Sequence, residues 1–157
     1  MRRGTIPLVI AVALAGCGGS HPKARACVPA PIHNGAPPSW TAAAFSDSSP
    51  GFTIPYALSD KNAAAAFFFA PVLRAGHPVN PSNKVLWVVR SLRNGHPLQI
   101  TAHSGARTVR MSFPDNAEPG EIYPSYVDLP TSGCWSLALR WGPHSTHIDV
   151  NVVRGRP

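Results

Sequence analysis

Apolar and polar residues alternate most clearly in the last third of the chain. Residues 134–141, CWSLALRW, place two tryptophans and two leucines on one side and small or polar residues on the other. Residues 146–153, THIDVNVV, repeat the alternation after a Gly142-Pro143 turn. Because successive side chains of a strand point to opposite faces, this period of two predicts a β-hairpin with one buried face.

Five further segments have the composition of short strands, with β-branched or aromatic residues between turn residues. Asn94-Gly95 lies between the second and the third segment, and because Asn-Gly is a strong hairpin signal, it predicts that these two strands pair. Pro124 predicts an edge position or a bulge for the last segment, since proline cannot donate to the ladder. The five segments are Ala63–Ala70, Lys84–Leu92, His96–His103, Ala106–Phe113 and Glu121–Leu129.

The seven or so strands, separated by turns, predict an all-β fold, a single antiparallel β-sandwich. Three tryptophans, Trp87, Trp135 and Trp141, are expected in its core. Residues 39–60 are expected to be irregular, with a short edge strand at most. Within them, Trp40 and Phe45 are candidates for an exposed contact surface, and covering one end of the sandwich explains them equally well.

The N-terminus follows another pattern. Two arginines precede the apolar segment Ile6–Leu14, whose nine residues are far fewer than the roughly 20 needed for a membrane-spanning helix. A segment of that length fits the apolar region of a secretory signal. Leu14-Ala15-Gly16-Cys17 then matches the lipobox of bacterial lipoproteins, in which the cysteine receives a diacylglyceryl group and a peptidase cuts before it.

These features predict a signal peptide over residues 1–16, a lipidated tether over 17–26 and one domain over 27–157. Two acyl chains on Cys17, at about 0.8 kcal/mol per buried CH₂, would form a stable anchor. We therefore expect the protein at the cell membrane, facing the extracytoplasmic side. The alternative is an ordinary signal peptide in which Cys17 is a chance residue.

The other two cysteines, Cys27 and Cys134, form an even pair for an oxidising compartment. We predict a disulfide between them, which would close a loop of about 107 residues. By restricting the unfolded chain, it would stabilise the fold by up to ~4.7 kcal/mol on the chain-entropy model. Two separate buried thiols are the alternative.

Charge narrows the choice of partners. The 157 residues include 14 Lys and Arg against 7 Asp and Glu, and removal of Arg2 and Arg3 with the signal leaves a net charge of +5. No aromatic residues interleave with these scattered cations, so a nucleic acid is an implausible partner, above all for an exported chain. Anionic lipid headgroups or an anionic wall polymer are more natural partners, and a generally basic solvated surface explains the charge as well.

The segment from Lys84 to Val153 resembles a family of largely uncharacterised lipoproteins common in actinobacteria and related Gram-positive bacteria. The resemblance rests on NKVLWVVR (83–90), GEIYPSYVDLPTSGCW (120–135) and LRWG (139–142), with an upstream segment at 27–35. Leu129-Pro130-x-x-Gly133-x-Trp135-x-Leu137 is also similar to the penultimate strand of immunoglobulin-like envelope domains. The resemblance implies an immunoglobulin-like sandwich outside the membrane, and it transfers no catalytic residue.

Seven histidines suggest one further chemistry. His144 and His147 in the last hairpin are candidate ligands for copper or zinc, because some immunoglobulin-like envelope domains bind copper. Such sites usually recruit Met or Cys as well, and Met111 is expected in the core. Solvated turn histidines are therefore the preferred interpretation, and no cofactor is predicted.

No constellation for catalysis stands out. The chain has no Gly-x-Ser-x-Gly elbow and no phosphate-binding glycine loop, and Asp115, Glu118 and Glu121 are better explained as a solvated loop or a weak cation site than as a glycosidase pair. The sequence predicts a non-catalytic binding or interaction domain whose partner is another envelope protein or polymer. A metal-binding lipoprotein is the second hypothesis, and a hydrolase with an unrecognised site is the third.

Overall fold

Two β-sheets carry the fold in the computed structural model, which describes residues 26–46, 51–115 and 119–155. Short 3₁₀ helices span Ser39–Phe45 and Asp60–Asn62. The strands are β1 Tyr56–Leu58, β2 Ala64–Phe68, β3 Leu73–Arg74, β4 Lys84–Val89, β5 Leu98–Ser104, β6 Arg107–Phe113, β7 Ile122–Tyr126, β8 Gly133–Trp141 and β9 His144–Val153. The all-β prediction is confirmed.

The four-stranded sheet has the order β1-β2-β4-β7, and the five-stranded sheet has the order β3-β9-β8-β5-β6. Neighbouring strands are antiparallel except β3 and β9, which are parallel. Each of the seven predicted segments contains a strand. β1 is the short edge strand allowed for residues 39–60, and β3 is additional. Pro124 lies in β7 at a sheet edge, as predicted. No further strand of the described residues pairs with this edge, so the missing N–H of proline leaves no ladder hydrogen bond unmade there.

The Asn94-Gly95 hairpin prediction is wrong. The turn exists, with both residues at positive φ and the His96 amide donating to the Arg93 carbonyl. It joins β4 to β5, however, and these strands lie in different sheets. The buried Arg93 side chain ties the turn to the start of β7, since its Nη1 donates to the Ile122 carbonyl at 2.8 Å. That tie directs the chain across the sandwich instead of back along β4.

The main core fills the space between the sheets. Trp87, Trp135 and Trp141 are all within 1% of complete burial, so their predicted core position is confirmed. The indole nitrogens of Trp87 and Trp135 donate to Ser125 Oγ and to the Thr131 carbonyl, at 3.0 Å and 2.9 Å. These three rings are the largest fully buried side chains of the described residues, so their burial contributes substantially to the apolar area that stabilises the fold.

A second apolar cluster lies on the outer face of the four-stranded sheet. There the 3₁₀ helix Ser39–Phe45 packs against side chains of β2, β4 and β7, and the Phe45 ring meets the Phe67 ring edge-on at 4.7 Å. Trp40 is also half-buried in this cluster. Both aromatics therefore cover a sheet face, which is closer to the covering role than to an exposed contact surface.

Asn83 aligns the two sheets at one end. Its carbonyl accepts from the Val127 amide, and its side chain pairs with both the amide and the carbonyl of Arg74. The starts of β4 and β8 and the ends of β7 and β9 meet here, and we call this the tether end. The predicted disulfide between Cys27 and Cys134 is present, which places the N-terminal entry of the domain beside the start of β8.

Candidate binding face

The two sheets differ in how their outer faces are covered. The 3₁₀ helix covers the four-stranded sheet, whereas no described element lies over the centre of the five-stranded sheet. Strand pairing arranges its outward side chains in rows across β6, β5, β8 and β9, and we call this surface the open face. One central row consists of Ser112, Gln99, Arg140 and Ser145. The next row consists of Arg110, Thr101, Ala138 and His147.

The open face is polar for a simple reason. Its strands alternate apolar residues, which enter the core, with hydroxyl, amide and guanidinium groups, which face outward. A shallow depression of about 600 Å³ lies on it. Gln99, Thr101, Arg140, Ser145 and His147 line this depression, with Asp60 and Lys61 at the rim. Hydroxyl and amide groups in such a depression suit a ligand rich in oxygen atoms.

The charge of this face is biased toward cations. Arg110 and Arg140 are exposed and lie on strands two apart in the sheet, which places their backbones roughly 10 Å apart across it. Of the carboxylates on or beside the face, Asp149 is buried under its own hydrogen bonds, and Asp60 lies at the rim, 3.6 Å from His147 Nδ1. Two guanidinium groups therefore face outward among hydroxyl and amide groups, with Asp60 and Lys61 at the rim.

Asp149 closes the β9 side of the open face. Its carboxylate accepts from the Ser136 hydroxyl at 2.7 Å and from the Val28 amide at 2.8 Å, and His147 Nε2 lies 2.8 Å away. The Ala30 amide donates to the Asp149 carbonyl, so the N-terminal segment pairs with the exposed edge of β9. Both the Ser136 hydroxyl and the His147 ring contact the carboxylate, which differs from a relay in which the histidine contacts the serine.

The candidate metal ligands do not meet. His144 pairs with Trp141 on the core side of β9, where its ring lies 5.6 Å from the indole, and His147 pairs with Ala138 on the open face. Opposite faces of one strand cannot supply two ligands to one ion. Across the described ranges, no group of three or more His, Cys, Asp or Glu side chains is placed to hold a metal.

The acidic loop has an internal partner. Arg93 Nη1 lies 2.7 Å from Asp115 Oδ1, and Arg93 Nε lies 3.4 Å from Glu121 Oε2. The guanidinium thus occupies the place that the weak cation site would have had. Glu118 lies outside the described residues. Beside this cluster, burial and the charge of Asp115, opposed by Arg93, raise the pKa of Tyr123 to about 12.

The remaining sequence predictions concern Met111 and the N-terminal region. Met111 is half-buried against the main core. Cys17 and the signal peptide lie outside the described residues, and the described residues contain no helix long and apolar enough to cross a membrane.

Sequence reasoning missed the role of Asp149 and the grouping of Arg110 with Arg140. The grouping of the two arginines could have been predicted from the period-two alternation of β5, β6 and β8, because that alternation assigns both arginines to outward positions.

Comparison of the chain with protein-family models, with curated proteins and with solved structures finds no match.

Proposed function

We propose that this protein is a membrane-anchored, extracytoplasmic binding domain without catalytic activity. Its open face takes an anionic, hydroxyl-rich polymer of the cell envelope. The observation that carries the proposal is the pair of outward guanidinium groups, Arg110 and Arg140, on a polar sheet face that no described element covers. Guanidinium groups bind phosphate and carboxylate through paired hydrogen bonds, and hydroxyl and amide groups beside them suit sugar or polyol oxygens.

The topology supports an immunoglobulin-like sandwich. Such domains place the strands of one sheet in the order A-B-E and those of the other around G-F-C, with added strands at the C side. Here β2-β4-β7 correspond to the first sheet, and β9-β8-β5-β6 correspond to G-F-C and one added strand. The short β3 pairs parallel with β9, and β1 extends the first sheet beyond this pattern.

The membrane anchor rests on the lipobox at Cys17, and the disulfide supports export. Cys27 and Cys134 are joined, as suits a chain that folds in an oxidising compartment. The mass of the N-terminal peptide of the mature protein tests the anchor. We expect a diacylated Cys17 as the first residue, and an unmodified cysteine or a different start would contradict it.

The binding proposal is tested on the mature chain, residues 17–157, carrying Cys17→Ser to remove the lipid. Poly(glycerol phosphate) serves as the anionic probe and dextran as the uncharged control, with binding followed by titration calorimetry. We expect saturable binding of the anionic polymer that weakens as salt screens the charges. Replacing both Arg110 and Arg140 by Ala should reduce affinity about tenfold, because each guanidinium loses charge-assisted hydrogen bonds.

Lys84→Ala is the matched control, since Lys84 is an exposed cation on the other sheet. It should leave polymer binding unchanged. An equal loss of binding free energy per removed charge in the control and in the double variant would mean that binding follows net charge alone, and would overturn the assignment to the open face. Absence of saturable binding would overturn the choice of an anionic polymer.

A further inference from the structure

Exposed apolar side chains gather at the tether end. Val79, in the loop before β4, is 86% exposed, and it shares a depression of about 250 Å³ with Tyr126 at the end of β7. Phe69 and Val72, which follow β2, are exposed at the same end. A folded domain gains nothing from leaving several large apolar groups together in water, so such a cluster indicates a contact surface.

Cations lie among these apolar groups. Lys84 pairs with Tyr126 across β4 and β7, and its Nζ lies 4.8 Å from the centre of the Phe69 ring. Arg154, just after β9, is exposed, and its carbonyl accepts from Arg74. Asp128, the carboxylate described at this end, contacts His77 and accepts from the side-chain Nδ2 of Asn83, so both of its oxygens have partners within the protein.

The N-terminal segment enters the domain at the same end. Cys27 is bonded to Cys134, and the neighbouring Gly133 pairs with Val152, the partner of Leu73. A lipid on Cys17 would be ten residues upstream of Cys27, within about 35 Å when the chain is fully extended. The tether end is therefore the part of the domain to which such an anchor would be attached.

We propose that the tether end docks on an anionic lipid surface, with Val79, Phe69, Val72 and Tyr126 entering the headgroup region and Lys84 and Arg154 meeting lipid phosphates. This inference rests on the membrane anchor of the proposed function. Aromatic rings and lysine side chains at the level of the headgroups are characteristic of membrane-surface contacts. Docking in this way leaves the open face upright and accessible to a polymer.

Vesicle co-sedimentation tests the proposal on the mature chain carrying Cys17→Ser, because removal of the acyl chains lets weak surface binding be measured. Vesicles of phosphatidylglycerol should bind the protein, and vesicles of phosphatidylcholine should bind it far less. Lys84→Ala should lower the partition coefficient about fivefold, which is the usual effect of one cation near an anionic surface. Val79→Asp should lower it further, because it removes an apolar contact and adds a like charge.

The controls lie at the opposite end and on the open face. Leu92 is 64% exposed beyond the far end of β4, so Leu92→Asp introduces the same charge at another exposed apolar site. Leu92→Asp and the Arg110→Ala, Arg140→Ala double variant should keep vesicle binding. Equal loss in Leu92→Asp and Val79→Asp, or no preference for anionic vesicles, would overturn the docking surface.

The two proposals fail separately. Loss of vesicle binding with intact polymer binding in one preparation would remove the membrane-docking surface and leave the polymer-binding face standing. Because Lys84 and the arginine pair lie on different sheets, each variant serves as the control for the other surface.

Discussion

At the scale of single residues, Arg93 holds the turn between the two sheets. Its side chain is only 10% exposed, yet it carries a charge that Asp115 and Glu121 balance. The Gly95 amide also donates to Asp115, and the Arg93 amide donates to Glu121. One cation and two carboxylates therefore fix the turn that moves the chain from one sheet to the other.

Replacing Arg93 by Ala should lower the free energy of unfolding by about 3 kcal/mol, since two partly buried carboxylates would lose their partner. Urea denaturation measures the change. Arg93→Lys should recover only part of it, because a single ammonium cannot span both carboxylates as the planar guanidinium does.

Arg90→Ala is the control, as Arg90 is an exposed arginine three positions away. It should change stability by no more than about 0.5 kcal/mol, as is usual for a surface site. Similar losses in Arg90→Ala and Arg93→Ala would contradict the role of the ion pairs in holding the turn.

At the scale of elements, the 3₁₀ helix Ser39–Phe45 depends on a close approach to Gly120. A β-carbon built at Gly120 would lie 2.4 Å from the backbone nitrogen of Ala44, and Gly120 has a φ of +94°. The helix can cover the four-stranded sheet because the chain entering β7 has no side chain at this point.

Gly120→Ala should destabilise the protein by about 2 kcal/mol or more, because strain from overpacking adds to the cost of a positive φ. Gly76→Ala separates the two effects, since Gly76 has a φ of +86° with open space around its β-carbon position. Thermal and urea unfolding of both variants measure the difference. A loss in Gly76→Ala as large as that in Gly120→Ala would show that backbone strain alone accounts for the effect.

The elements also show what the sequence can predict. Period-two alternation located β5, β6, β8 and β9, because each has one face in the core and one in solvent. It gave no information on β4, which is buried along nearly its whole length because apolar groups cover both of its faces. Sheet membership could not be predicted from the Asn94-Gly95 turn, since its outcome depended on Arg93 meeting acids more than twenty residues downstream.

The candidate site was predictable only in part. The Cys27–Cys134 bond followed from cysteine parity, whereas the pairing of Asp149 with Ser136 and His147 depends on strand register, which composition does not reveal. The spacing of His144 and His147 suggested proximity, but an odd separation on one strand places their side chains on opposite faces.

At the scale of the whole molecule, two surfaces have separate chemistry. The tether end combines apolar groups with Lys84 and Arg154, and the open face presents Arg110 and Arg140 among hydroxyl and amide groups. The strands of the five-stranded sheet extend away from the tether end, so contact of that end with another surface would leave the open face accessible. The N-terminal segment joins these surfaces, because it enters beside Cys134 and then lies along β9.

That segment makes the disulfide important for the whole fold. Cys27 and Cys134 are 107 residues apart, and the bond restricts the unfolded chain over most of the domain. Replacing both cysteines by Ser should lower the free energy of unfolding by up to about 4.7 kcal/mol, the chain-entropy value for a loop of roughly 100 residues. Urea denaturation of the mature chain, with Cys17→Ser as the background in both proteins, measures this loss.

Amide hydrogen exchange in the same variant shows which part of the domain is destabilised by loss of the disulfide. In the variant, the Val28 and Ala30 amides should exchange much faster, because their hydrogen bonds to Asp149 would no longer be reinforced by the covalent bond at Cys27. The amides between β8 and β9 should stay protected until global unfolding, since nine residue pairs join these strands. Early exchange throughout β8 and β9 would contradict this outcome, and would show that the disulfide supports the five-stranded sheet itself instead of the attachment of the N-terminal segment.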